Sequence, residues 1–134
     1  MTRTVSRTRL RSVARVVLGG VLVLAGAGHL TFAREDFRAQ VPPWVPLDVD
    51  EVVLMSGVVE IGLGLMLVLL PREQRRIGLL AALFFVAVLP GNIAQLTEHR
   101  DAFGLDTDAK RALRLLGQPV LVAWAWWSTR TVTP

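Results

Sequence analysis

Long apolar segments separated by short charged stretches dominate the chain. A helix needs about 20 apolar residues to cross roughly 30 Å of hydrocarbon, and two of these segments reach that length unaided. The last segment is short, but Arg114 and Arg130 at its ends can keep their charged groups at the membrane interface. The pattern predicts four transmembrane helices, at about residues 13–33, 51–70, 76–97 and 112–129.

Composition agrees with a membrane protein. Hydrophobic residues make up 52% of the 134, and only 19% are charged, which is below the roughly 25% of soluble domains. A soluble chain of this length cannot hide so much apolar surface in one core. The absence of cysteine excludes disulfides, a thiolate nucleophile and cysteine-ligated metals. We therefore predict one all-α domain over residues 1–134, an integral membrane four-helix bundle.

Basic residues indicate the orientation of this bundle. With the N-terminus in the cytoplasm, nine of the 15 basic residues lie inside, five of them in and just after a basic leader at residues 1–12. This moderate bias predicts cytoplasmic termini and a multi-pass protein of a bacterial-type inner membrane. A cleaved signal peptide ending near Ala27 is the alternative for the first segment. The leader is short and lacks an aromatic platform, so we expect no nucleic-acid partner.

Polar side chains interrupt every predicted helix. They lie roughly 6–14 Å below the outer membrane surface, as judged from the rise of about 1.5 Å per residue. Polar groups at this depth rarely face lipid, so we expect one interhelical cluster. Glu60 and Arg114 are its expected ion pair. Pro90 and Pro119 are expected to free the backbone carbonyls one turn earlier, at Val86 and Leu115. The predicted cluster comprises His29, Glu60, Asn92, Gln95, Arg114 and Gln118.

The connections between the helices carry further predictions. The turn at residues 71–76 is short, so helices two and three are predicted to be antiparallel neighbours. The first outer loop is longer, and its prolines force an extended run, which we predict to be a lid over the cluster. The lid residues are Pro42, Pro43, Trp44 and Pro46. Three tryptophans near the other end are expected to anchor in the inner interface: Trp124, Trp126 and Trp127.

The cluster has several interpretations. Three are open: interhelical glue, a site for a quinone or another small polar ligand, and a proton or solute path through Glu60. In the ligand site, His29 or a protonated Glu60 donates to a carbonyl oxygen of the quinone. A metal site is disfavoured, because His29 and Glu60 supply two ligands where three or four are usual. No catalytic triad and no glycine-rich phosphate loop is present, so no enzymatic activity is assigned.

Five short motifs follow one another along the chain. The first and second are Ala27-Gly28-His29-Leu30, with Phe32, and Val41-Pro42-Pro43-Trp44-Val45-Pro46. The third, in helix two, runs from Ser56 to Gly64 and contains Glu60. The last two are Leu89-Pro90-Gly91-Asn92-Ile93 and Arg114-Leu115-Leu116-Gly117-Gln118, the latter followed by Ala123-Trp124-Ala125. In this order the motifs resemble the DoxX family of small four-helix membrane proteins, and the similarity extends over roughly residues 13–130.

This resemblance implies a role in membrane redox systems. DoxX-like proteins are associated with quinone-linked and oxidative-stress complexes, which implies a membrane anchor or subunit with other redox subunits as partners. Quinone is then the expected cofactor or ligand, and a homo-oligomer is an open alternative. The rival interpretation is a stand-alone small transporter or a structural membrane protein whose cluster only holds the helices together. Lipid is the expected partner in either case.

Overall fold

The computed structural model describes residues 2–130, and every regular element among them is helical. The long helices are α1 (Thr2–Leu30), α3 (Val49–Leu69) and α6 (Asp108–Thr129), and a short α2 (Arg34–Arg38) follows the first. A 3₁₀ turn (Pro71–Glu73) leads into α4 (Gln74–Ala87), which α5 (Leu89–Thr97) continues after a break at Val88. The all-α prediction is confirmed.

Three helical segments are long and apolar enough to cross a membrane. They are Val5–Leu30, Val49–Leu69 and Pro71–Thr97, and only 33–44% of each is buried within the chain. The fourth predicted segment is helical, but it is not among these three. Its first turns carry Asp108, Lys110, Arg111 and Arg114, and these charges lower its apolar character.

The helix boundaries follow local sequence signals. The side chain of Asp48 accepts hydrogen bonds from the backbone N–H groups of Asp50 and Glu51 and so caps α3. Thr107 caps α6 in the same way, through the N–H of Lys110 at 3.2 Å. At the N-terminus, α1 extends back to Thr2, so from that residue onward the predicted leader is part of the first helix rather than a separate segment.

Four glycines hold α1 against α3. A Cβ built on Gly26 would lie 2.6 Å from the Gly57 carbonyl oxygen, and one on Gly64 would lie 2.5 Å from that of Gly19. Gly26, the later glycine in α1, thus meets Gly57, the earlier one in α3, so the two helices run antiparallel. Small residues allow such close approach between helices.

The apolar core lies between α1, α3, α4 and α6. Leu18 and Leu67 are fully buried at its centre, together with Ala81 and Ala125. Helix α6 packs against α4, α1 and α5. Outside this core, large apolar side chains remain exposed along the long helices, among them Leu24, Val58, Leu83 and Leu116.

The tryptophans of α6 do not form one group. Trp124 is half-buried and donates a hydrogen bond from Nε1 to the Ala14 carbonyl at 2.9 Å, which ties α6 to α1. Trp126 and Trp127 are exposed, and the guanidinium groups of Arg130 and Arg11 lie over their rings. Trp124 thus has a structural contact within the bundle, and interfacial anchoring stays a prediction for all three tryptophans.

Candidate functional site

A cavity of about 650 Å³ lies between the helices, and most of the predicted polar cluster lines it. This volume is within the range typical of small-molecule sites. The polar lining residues are His29, Gln40, Ser56, Glu60, Asn92, Arg114 and Gln118. Gln95 is the one predicted cluster residue that does not line the cavity; it is buried behind it.

Helical spacing explains why these residues face the same space. In α3, Val52, Ser56 and Glu60 are four residues apart, so they lie on one face of the helix. Ala25 and His29 share a face of α1 in the same way. The two polar faces meet beside the glycine contacts, because Gly57 also packs against the Cβ of His29. The glycine contacts that bring α1 and α3 together therefore also position the site.

His29 and Glu60 form one wall of the cavity. His29 Nδ1 lies 2.9 Å from Glu60 Oε2 and 2.8 Å from the Ala25 carbonyl oxygen. The ring of His29 stacks on that of Phe37, with centroids 3.4 Å apart and planes 14° from parallel. This wall thus consists of the buried Glu60 carboxylate and the His29 ring, which contacts Glu60, Ala25 and Phe37.

A second wall is a chain of amide groups centred on Gln118. Its Oε1 accepts hydrogen bonds from Asn92 Nδ2 at 3.3 Å and from Arg114 Nη1 at 3.1 Å. Its Nε2 donates to the Phe85 carbonyl at 2.6 Å. The break at Val88 lies just after this carbonyl. Pro90 was expected to free the carbonyl of Val86, whereas the one that Gln118 uses is Phe85, one residue earlier.

Arg114 does not pair with Glu60 as expected. Its guanidinium donates to Gln118 on the amide wall, and the basic side chain within ion-pair distance of Glu60 is His29. Arg114 and Gln118 are four residues apart on one face of α6, so the Arg114 guanidinium reaches the Gln118 side chain of its own helix. Glu60 and Arg114 both still line the cavity, so it contains one acidic and one basic group on separate walls.

Gln40 is a site residue that the sequence analysis missed. Its Nε2 donates to Asn92 Oδ1 at 3.2 Å and to Gln95 Oε1 at 3.0 Å, which joins the first outer loop to α5. A Cβ on Gly91 would collide with the Gln40 carbonyl, so only glycine permits this approach. The sequence Pro90-Gly91-Asn92 was a signal for a close backbone contact, but it did not identify the partner.

The outer loop borders the mouth of the cavity. Pro42 and Trp44 line it, whereas Pro43 and Pro46 are exposed and do not. Arg100 holds this loop by donating to the carbonyls of Ala39 and Val41, at 3.2 and 2.7 Å. A lid made of these residues stays a prediction.

A second polar group lies in the loop before α6, outside the cavity, and was not predicted. Arg111 is buried and donates to Asp108 at 2.7 Å, to Asp101 and to the Arg100 carbonyl. His99 Nδ1 lies 2.8 Å from Asp108. This hydrogen bond, followed by that of Arg111, holds the pKa of the Asp108 carboxyl below its usual value, although burial opposes the effect. The group fixes the loop that leads into α6.

A comparison with protein families identifies the chain at the family level. The model of a domain of unknown function, DUF8561, matches residues 18–129. The chain belongs to the DUF8561 family. No curated protein and no solved structure shows significant similarity to it.

Membership of DUF8561 corrects the resemblance to DoxX, which is wrong. The matched motifs are rich in Gly, Pro, Trp and aliphatic residues, which recur in unrelated membrane helices because small residues permit close packing and Trp favours the interface. The DUF8561 match includes every residue that lines the cavity. The site thus lies within the family domain, and no metal-binding group of three or more His, Cys, Asp or Glu occurs in residues 2–130.

Proposed function

We propose that this DUF8561 protein is a four-helix integral protein of a bacterial inner membrane, with both termini in the cytoplasm. Three apolar helices support membrane insertion. The fourth, α6, packs along two of them and carries exposed apolar side chains such as Leu116 and Val120. The excess of arginine at the N-terminus and in the 71–76 turn supports the orientation.

Topology reporters test this arrangement. A fluorescent protein that matures only in the cytoplasm is expected to be bright when fused after Pro134 or inserted at Glu73, and dark at Gln40 or Asp106. Fluorescence at Gln40 would show that the assigned orientation is wrong. Fluorescence at Asp106 but not at Gln40 would show that the Pro71–Thr97 segment does not cross.

We further propose that the protein binds a lipid-soluble small molecule in its cavity, with a polar head group at the cluster. One observation carries this proposal: the polar residues face an open volume from two separate walls instead of filling the space between the helices. Phe37, Phe84 and Phe85 contribute apolar surface to the same cavity. Apolar walls with a few convergent polar groups are typical of ligand sites, and a quinone-sized ring has the matching size and polarity.

Interhelical glue is the second candidate, and the amide wall favours it. Gln118 bonds to Asn92, Arg114 and the Phe85 carbonyl and so connects α4, α5 and α6 without any ligand. The His29–Glu60 wall is less complete, since Glu60 Oε2 has no hydrogen-bond donor among the described residues. We therefore assign the amide wall to structure and the His29–Glu60 wall to ligand contact. The redox-complex role rested on the resemblance to DoxX and loses that basis.

Extraction of the purified protein tests the binding proposal. Protein purified in a mild detergent and extracted with organic solvent is expected to release a lipid-soluble compound in an amount approaching one per chain, measured by mass spectrometry. Bulk membrane lipids extracted from an unrelated membrane protein serve as the control. An extract that contains only those bulk lipids would contradict the proposal.

A further inference from the structure

Glu60 has acceptor capacity that the protein leaves unused. The residue is only 7% exposed, and its Oε2 has no hydrogen-bond donor within the described part of the chain. An ionised carboxylate offers about four lone-pair positions, and buried polar groups are nearly always hydrogen-bonded. Oε2 itself has almost no accessible surface, so Oε1 is the Glu60 oxygen at which a donor from the cavity can bind.

His29 is close to Glu60 but does not supply this donor. Its Nδ1 lies 2.8 Å from the Ala25 carbonyl, and a carbonyl oxygen only accepts, so Nδ1 carries a hydrogen directed at Ala25. Glu60 Oε2 is 2.9 Å from the same nitrogen but outside the direction of that hydrogen. An oxygen so close to an N–H cannot present its own hydrogen toward it. Glu60 therefore does not donate to His29, and its lone pairs stay available to a ligand hydroxyl.

The remainder of the cavity restricts the charge of the ligand. Glu60 and Arg114 carry opposite formal charges and both line the space. A ligand with a net charge meets a like charge on one wall, whereas a neutral group that both donates and accepts suits both walls. Arg114 uses Nη1 to bond Gln118. Because a guanidinium has five N–H donors in all, Arg114 has further donors for a ligand.

Aromatic side chains favour a ring next to this polar group. Phe37, stacked on His29, meets Phe103 edge to face at 4.8 Å, and both line the cavity. Trp44, Phe84 and Phe85 also line it. Aromatic pairs of this kind prefer offset or edge-to-face contact with further rings.

We propose that the cavity selects a neutral aromatic alcohol, that is, a phenol or the quinol form of a quinone, whose hydroxyl donates to Glu60. This inference rests on the proposed binding function and narrows it to one ligand class. It reverses the polarity expected from the sequence, in which Glu60 or His29 donates to a quinone carbonyl. An acceptor-only ligand leaves Glu60 without a donor.

Two probes that differ only in the donor test this proposal. The probes are 4-octylphenol and 4-octylanisole, in which a methyl group replaces the hydroxyl hydrogen. Binding is measured as saturable thermal stabilisation of the full chain in lipid nanodiscs, at equal mole fractions of probe in the lipid. We expect the phenol to bind about tenfold to a hundredfold more tightly, as a hydrogen bond to a charged group implies.

Two variants assign this preference to Glu60. Glu60→Gln keeps the shape of the side chain but removes the charge, so most of the phenol preference is expected to disappear. Glu51→Gln makes the same change at an exposed position of the same helix and is expected to keep the preference. If Glu60→Gln does not fold, the variant His29→Asn, which changes the side chain next to Glu60, takes its place in the comparison of the two probes. The preference for the phenol is then expected to fall.

The outcomes separate this inference from the proposed function. Equal saturable binding of both probes to the wild type would overturn the donor assignment and retain a ligand site. Tighter binding of 4-octylanisole would show that the wall donates instead of accepting, which also overturns it. No saturable binding of either probe would overturn both the inference and the proposed function for aromatic ligands.

Discussion

Replacing Gly64 with alanine is expected to destabilise the protein by about 1–3 kcal/mol, the usual cost of overpacking. The new Cβ would lie 2.5 Å from the Gly19 carbonyl oxygen and 2.8 Å from Val23 Cγ2. The nearer atom belongs to the backbone, so a rotamer change cannot relieve the contact. Helices α1 and α3 must therefore separate, and the other glycine contacts between them weaken as a result.

Gly62→Ala is the matched control for this change. It introduces the same methyl group in the same helix, but nothing lies within 4 Å of the new Cβ. Unfolding in mixed detergent micelles, followed by tryptophan fluorescence, is expected to show a loss for Gly64→Ala and no loss for Gly62→Ala. Equal stability of the two variants would mean that α1 and α3 do not pack through these glycine contacts.

Replacing Gln118 with methionine is the second change with a large expected effect. Methionine has a similar length and volume, but it leaves the Phe85 carbonyl, the Asn92 amide and the Arg114 guanidinium without their shared partner. Gln118 is only 2% exposed. Each buried group that loses its partner costs about 1–3 kcal/mol. Arg114 can bond to another partner, so we expect the free energy of unfolding to fall by about 2–4 kcal/mol in total.

Leu116→Met provides the comparison for Gln118→Met. Leu116 lies two residues earlier in the same helix and is 67% exposed, so this variant is expected to unfold like the wild type. Hydrogen bonds between membrane helices are often weak. A Gln118→Met variant as stable as Leu116→Met would therefore remove the structural role of the amide wall and assign Gln118 to the ligand site instead.

The elements of the fold were accessible from the sequence, because each depends on local pattern. Apolar runs bounded by charges predict helices, and Asp48 and Thr107 then cap them. The depths of His29 and Glu60 were also predictable, since the helical rise fixes the position of a residue along the axis. Their contact at 2.9 Å agrees with those depths.

The partners within the site were not predictable in the same way. Depth gives no information about which of several nearby partners a long side chain selects, and Arg114 bonds Gln118, one turn along its own helix, instead of Glu60. Gln40 lies in an irregular segment whose course depends on tertiary contacts such as that with Gly91. Membership of a family was not predictable either, because the motifs at Gly64, Pro90 and Trp44 reflect membrane packing in general.

The most direct test of a ligand-filled cavity is the extraction experiment applied to two matched variants. Ser56→Phe places a large ring on the cavity wall, whereas Val58→Phe places the same ring on the 62% exposed side of the same helix. With both variants folded, as judged by their melting curves, the extracts of the wild type and Val58→Phe are expected to contain the same lipid-soluble compound. The extract of Ser56→Phe is expected to lack it. Equal amounts in all three extracts would contradict the account, because the compound would then be bound outside the cavity.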